Sequence, residues 1–227
     1  NLRILIQRVA AKQNGQLFIT THNSLISTRL ELSNIIILHS NDGNTPTMLN
    51  DLSAETSKYF MKAPPANILE FAISDRVILV EGPSEYMLFE KFYETVTNHK
   101  PETDGVNIID VRGLSFKRYL ELSKLIGEKT AVVTDNDHDY KRHCVDKYSD
   151  YAQTNNIKIF FSQDNKQNTF EVVLYNNNRN LCNELFGNAA LEYMLKNKTE
   201  SAYQLLLSEK EIIVPEYIRR AIEWIKE

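Results

Sequence analysis

The chain has 227 residues, 42% hydrophobic and 25% charged, with a formal net charge of −4. This is ordinary usage for a folded protein and enough chain for a sizeable core. The mild acidity argues against a chain devoted to coating nucleic acid, but it leaves open an enzyme that meets phosphate through a bound cation. No apolar run approaches the roughly 18 residues of a membrane span, and no charged-then-apolar leader opens the chain, so no membrane contact is expected. Cys144 and Cys182 lie far apart, with no CxxC or Cys/His ligand spacing. They are expected as free thiols in polar settings of a reduced, cytoplasmic protein.

The chain begins mid-pattern. NLRILIQRVAAKQ already reads as a helix, with no methionine or cap before it, so a longer parent protein is expected. Leu2, Ile4, Leu5, Ile6 and Val9 form its apolar stripe and Gly15 ends it. Leu17–Thr20 reads as a short buried strand running into Thr21 and His22, Ser24–Leu30 as a short helix and Asn34–Ser40 as a strand. After the turn NDGNT, Thr47–Leu49 is expected to pair back as a hairpin. Asp51–Leu69 is polar and carries the Pro64–Pro65 break, which places a domain boundary there, with a linker over 61–73.

From Ser74 the alternation becomes regular. The expected elements are a strand in RVILVEG, a helix Ser84–Thr97 burying Leu88, Phe89, Phe92 and Tyr93, a strand Val106–Gly113 and a helix Phe116–Ile126 ended by Gly127. A third strand in TAVVTDND, a polar helix Tyr140–Asn155 and a strand Ile157–Ser162 follow. This order predicts an α/β fold with a parallel sheet covered by helices. The first and third strands are unbroken apolar runs, as expected for burial on both faces. Helices then follow from Thr169, over Leu181–Lys196, Glu200–Ser208 and Pro215–Lys226, the proline suiting a first turn.

Both of those apolar strands end in acid: Glu81 after the first, Asp135 and Asp137 after the third. Sites in open parallel sheets form beyond the carboxyl ends of the strands. Carboxylates gathered there repel one another unless a cation lies between them, and oxygen donors suit Mg²⁺ or Mn²⁺. A carboxylate closing a buried strand is costly unless paired or metal-bound, which singles out Glu81. Gly82 allows a tight turn there. Asp135 and Asp137, at i and i+2 of an extended chain, point the same way and can reach one ion. Glu85 is either a further ligand or an acid offsetting the helix dipole. His138 and Asp139 read as solvated cap residues for the following helix.

The succession strand-Glu-Gly, strand-Gly in VNIIDVRG and strand-D-x-D resembles the Toprim domain of primases, topoisomerases, small nucleases and the overcoming-lysogenization-defect (OLD) proteins. That resemblance implies that Glu81, Asp135 and Asp137 bind divalent metal during phosphodiester chemistry, and Gly113 matches the glycine after the second strand. VEGPSE, with its second acid four residues on, is most similar to the OLD nucleases, which implies a metal role for Glu85. LFITTHNSLI resembles the end of an ABC-type ATPase domain, where His22 would sense a γ-phosphate. NTFEVVL places Glu171 like the family's later acid at a second metal, although Glu171 also reads as a helix-cap acid beside Asn168 and Thr169. LKNKTESAYQLL resembles the lysine-bearing helical segment, giving Lys198 or, one slip away, Lys196, and IVPEYIRRAIEWI is similar to the closing helix.

The resemblance implies 1–60 as the end of an ATPase domain, 61–73 as linker, 74–175 as the Toprim domain and 176–227 as a helical C-terminal segment. It implies a two-metal endonuclease acting on DNA, with Lys198 offsetting charge on the phosphate. It further implies a homo-oligomer formed through the ATPase and Toprim parts, and a place in defence against phage, with a defence-system partner. No G-x-x-x-x-G-K-[ST] occurs, so ATP would enter only through a part of the protein outside this chain. Topoisomerase and primase readings lack a marked tyrosine and a zinc module. A catalytically silent, partner-binding module is the alternative. A receiver-like site is disfavoured, because the acid pair comes on the third strand.

Overall fold

In the computed structural model, the described residues are 51–62, 66–112 and 116–227, together with 4, 9, 20, 36–38 and 46–48. The chain forms two compact units, 1–74 with 125–127, and 75–124 with 128–227. In the first, β1 (Ile36–Ile37) pairs antiparallel with β2 (Thr47–Met48), the expected hairpin return. Two helices follow, α1 (Ala54–Lys62) and α2 (Ala66–Ala72). The stretch read as linker thus carries α2. Phe60, Ile68 and Phe71 are buried there. Ile4 and Val9 of the first expected helix are helical; the rest of that helix, most of the strand and the second helix expected within 1–30, with His22 and Gly113, lie outside the described residues.

The second unit is organised around its first strand. The elements are β3 (Arg76–Val80), α3 (Pro83–Thr97), β4 (Val106–Asp110), α4 (Phe116–Ile126), β5 (Lys129–Val133) and β6 (Ile157–Phe160). The sheet order is β4-β3-β5-β6 and every pairing is parallel. β3 therefore has neighbours on both sides, and Val77, Ile78, Leu79 and Val80 are all fully buried. That is why its sequence does not alternate: neither face meets water.

α3 starts where the sequence says it should. Gly82 is its N-cap, Pro83 takes a first-turn position that needs no N–H donor, and Asn98 in the left-handed region closes it with an N–H to Glu94 O. Its Leu88, Phe89, Phe92 and Tyr93 join Ile78, Val80, Ala131, Val133 and Phe160 in one core. Phe92 packs edge-on to Phe89 at 6.1 Å and tilts against Phe170 at 6.3 Å between ring centroids.

The C-terminal helices are α5 (Phe170–Asn177), α6 (Arg179–Phe186), α7 (Ala190–Lys196), α8 (Lys198–Leu207) and α9 (Glu216–Lys226). α9 packs on β3, β5, β6 and α3, and α8 packs on α3. Ile218, Ala221, Ile222 and Ile225 of α9 belong to the same core as the sheet. Two sequence expectations need correction. The single helix over 181–196 is two, because the chain leaves helical geometry at Gly187, whose φ is +78°. The polar helix over 140–155 is only a wide π-type turn at Lys141–Asp146 and a short 3-10 turn at Ser149–Tyr151. The segment has too few apolar residues to bury a long helical face. The cysteines are free, but both are buried rather than in polar settings.

Glu128, at the turn into β5, is a conflict inside this core. Its backbone carbonyl is well served, accepting from Ser123 Oγ at 2.9 Å and Asn156 Nδ2 at 2.6 Å. Its carboxyl is buried with neither oxygen hydrogen-bonded. Burial, and then the charge of Asp75, push it up to about 9. A carboxyl raised on folding contributes full stability below its unfolded pKa near 4.5, and that contribution is lost as pH rises toward 9. Glu128→Gln should therefore match the parent in urea denaturation near pH 4 and exceed it by on the order of 3–5 kcal/mol at pH 8. Phe92→Ala should lower stability by about 3–5 kcal/mol in the same assay, since it empties a fully buried site.

Candidate active site

The register of β3 and β5 brings the acids together. Leu79 pairs with Val132, so the residues just past each strand, Glu81 and the Thr134–Asp135 pair, leave the sheet side by side. Glu81 Oε1 accepts from Thr134 Oγ1 at 2.5 Å and from the backbone N–H of Asp135 at 2.9 Å. The buried strand end is thus satisfied across the strands, and Glu81 is held in one orientation. Among the described residues no hydrogen bond occupies its Oε2.

Three further elements add charge. Glu85 projects from the first turn of α3 and is buried. Glu171 lies in the first turn of α5, also buried, while Thr169 caps that helix by accepting from the Val172 N–H. Lys198, the first residue of α8, reaches Glu171 Oε2 at 2.8 Å. Lys196 is instead turned outward and pairs with Glu192. Burial, and then the negative charge of Glu81 and Glu171, push Glu85 up to about 8, against the opposing pull of Lys198. Asp135 is pushed up to about 9 by burial and by Glu81, Glu85 and Glu171. For Lys198, burial lowers the ammonium, but the Glu171 bond and the charges of Asp135 and Glu85 leave it net raised. Four carboxyls and one ammonium share this region.

Asp137 departs from expectation. β5 ends at Val133, so the D-x-D is not extended chain, and Asp137 and His138 take positive φ of 48° and 68°. Asp137 is exposed, whereas Asp135 is half-buried and coupled to Glu81, Glu85 and Glu171. The extended-chain geometry that would align the two acids is therefore absent. The residue between them holds the turn. Buried Asn136 donates from Nδ2 to the carbonyls of Ser162, Asp164 and Gln167 at 2.8, 3.0 and 3.1 Å, and its Oδ1 accepts from the His138 N–H at 3.0 Å. Asp139 caps the Arg142 N–H, as expected of it; His138 instead pairs its Nε2 with Asn168. Gly82 has φ −158°, extended backbone open to any residue, and a Cβ there would sit 3.5 Å from Glu85 Oε2. That is ordinary contact, so neither the backbone nor the space around it demands glycine here.

With this geometry in view, comparison with known proteins is specific. Residues 73–137 match the family model described as overcoming lysogenization defect protein-like, TOPRIM domain. The chain carries an OLD-like Toprim domain. Endonuclease GajA of Bacillus cereus (strain VD045) is 28% identical over 121 residues, 53% of this chain and 21% of GajA. The chain therefore spans about a fifth of that relative's length. The C-terminal region of the Xanthomonas campestris pv. campestris OLD protein superposes with a TM-score of 0.51 at 20% identity, covering 69% of this chain and 94% of that one. The C-terminal region of the Burkholderia pseudomallei OLD protein gives 0.53 at 17% identity, covering 68% and 98%. At such identities these two establish the fold of the OLD-like Toprim domain: a four-stranded parallel sheet flanked by helices.

Among the described residues no three His, Cys, Asp or Glu side chains are arranged to hold one ion. Glu171 is paired with Lys198, Glu81 Oε1 accepts from Thr134 and an amide, and Asp137 is exposed. In donor type and charge the residues nevertheless fit a hard divalent cation, since they are oxygen ligands carrying more negative charge than one lysine offsets. Residues that sequence reasoning passed over also shape the site. Thr134 and Asn136 sit inside the TDND quartet, and Tyr217 of α9 is buried and held well above its usual range by burial and by Asp135, Glu85, Glu81 and Glu171. Only the alternation of the quartet could have flagged the first two. Lys198→Met should cost about 1–3 kcal/mol in urea denaturation, the cost of leaving Glu171 without its donor. The gap should widen from pH 5 to pH 8 as carboxylate charge builds, and Glu171→Gln in the same chain should recover much of it.

Proposed function

We propose that this chain is the nuclease portion of a larger OLD-like protein, a metal-dependent endonuclease that hydrolyses phosphodiester bonds in DNA. The carrying observation is the Glu81–Thr134–Asp135 link between two strand ends, in company with Glu85, Glu171 and Lys198. The family of residues 73–137 and the likeness to an endonuclease support it. Mg²⁺ or Mn²⁺, held by Glu81, Asp135 and Asp137 with a second ion near Glu85 and Glu171, would supply Lewis-acid activation of water and charge neutralisation at the phosphate. Thr134 and the Asp135 amide fix Glu81 so that Oε2 is presented to the site. Lys198 places a positive charge where the scissile phosphate gains negative charge. Coupling to an ABC-type ATPase portion, with His22 as its γ-phosphate sensor, belongs to the same proposal, as do cytoplasmic residence, assembly into a homo-oligomer and use against phage DNA.

The second reading is a catalytically silent, partner-binding module. The exposure of Asp137, beyond the end of β5 and in left-handed backbone, favours it. Plasmid nicking separates the two. The parent chain should nick supercoiled DNA with Mg²⁺ or Mn²⁺, and Glu81→Gln should lose about 100-fold or more with its circular dichroism unchanged. Full cleavage by that variant sinks the site assignment, and no cleavage by the parent with any divalent ion favours the silent module.

A further inference from the structure

Beside the acid cluster lies a feature that the carboxylates do not use. Tyr140, three residues after Asp137, stacks on Phe161, the residue after β6, with ring centroids 5.9 Å apart and planes 20° from parallel. Both rings are half-buried, so part of this aromatic slab meets solvent. The loops that carry it are sewn together: the Tyr140 N–H donates to Asn165 Oδ1 at 3.1 Å, His138 pairs with Asn168, and Asn136 grips three carbonyls of the 162–167 loop.

Basic residues neighbour the slab in sequence and in the 162–167 loop tied to it. Lys141, Arg142 and Lys166 are exposed, and none has an ion-pair partner among the described residues. The acids nearest in sequence are engaged locally. Asp139 Oδ1 accepts from the Arg142 N–H, and Asp164 accepts from the Lys166 N–H and from Gln167 Nε2. Over 137–147 the exposed acids Asp137, Asp139 and Asp146 balance Lys141, Arg142 and Lys147 in number, and Lys147 lies over the Tyr148 ring, so what leaves Lys141, Arg142 and Lys166 available is their lack of ion pairs among the described residues. A held aromatic surface, with cations free of ion pairs close by in the chain, matches the needs of an unpaired nucleotide: a π-face for the base and positive charge for the phosphates. A base inside an intact duplex offers no face to it.

We infer that Tyr140 and Phe161, with Lys141, Arg142 and Lys166, form a stacking platform for an unpaired base of a DNA strand entering the acid cluster. The substrate class is therefore single-stranded or locally opened DNA. The location of cleavage rests on the nuclease reading; strand binding does not.

The test uses the full 227-residue chain, a fluorescein-labelled oligo-dT strand and a blunt duplex of equal length, with fluorescence polarisation in EDTA. Tyr140→Leu and Phe161→Leu keep apolar bulk but remove the π-face, and each should weaken strand binding by about 5- to 100-fold with duplex binding unchanged. Lys141→Ser with Arg142→Ser should flatten the salt dependence of strand binding and remains informative if a ring variant is unstable. Hydrolysis of bis(p-nitrophenyl) phosphate should be unaffected by all of them. Unchanged strand affinity, an equal loss on duplex, or no strand binding by the parent each overturns the platform. Selective strand binding by a parent that cleaves neither DNA nor the reporter supports the platform while overturning the nuclease reading.

Discussion

Excess negative charge at one edge of a buried parallel sheet is the condition the second unit is built around. Glu81, Glu85, Asp135 and Glu171 converge from two strand ends and two helices, with Lys198 as the cation among them. Water cannot screen such groups well once they are inside the protein. Proton uptake therefore holds Glu85 and Asp135 near neutrality, and the fold supplies local partners for the rest: two donors for Glu81 and one ammonium for Glu171. A site that must spend protons and a lysine to stay folded is one poised to accept a cation.

The sheet alone does not make this site. β3 and β5 contribute Glu81 and Asp135, but Glu171 and Lys198 arrive on helices placed by packing on α3, α8 directly and α5 through Phe170. The order of events in the sequence hides this. Glu171 and Lys198 are 27 positions apart, and Glu171 lies 90 positions beyond Glu81. Their meeting follows from the shared core in which Phe92 of α3 touches Phe170 of α5. The ring contact sets the neighbouring Glu171 on the side where Glu85 already projects.

Much of this could be read from the residues. Continuous apolar runs marked β3 and β5, the Leu88, Phe89, Phe92 and Tyr93 stripe marked α3, and the acids at strand ends marked the candidate site. Gly127, with φ of +76°, ends α4 as read. What failed did so for identifiable reasons. Period-2 reasoning placed Asp135 and Asp137 on one side, but it holds only within a strand, and β5 stops at Val133. The 140–155 segment has turn chemistry and too little apolar surface, so its polar periodicity misled. Lys196 and Lys198 could not be separated by spacing; the two differ in whether their side of the helical segment faces Glu192 or Glu171. Thr134 and Asn136 went unremarked because their roles are hydrogen bonds to groups distant in sequence or in neighbouring loops.

One bond gives the last helix an architectural meaning. The Arg76 guanidinium, at the start of β3, donates to the carbonyls of Ile225 and Lys226 at 3.1 and 2.5 Å. These are end carbonyls of α9 that no further helical turn satisfies. The first strand and the final helix of the unit are thereby buckled together across some 150 positions of sequence. In modular terms, the sheet and its helical tail are a single cassette. Recombination that moved the strands without the tail would leave a cationic side chain searching for its acceptors and an open flank on the sheet, so the tail travels with the domain.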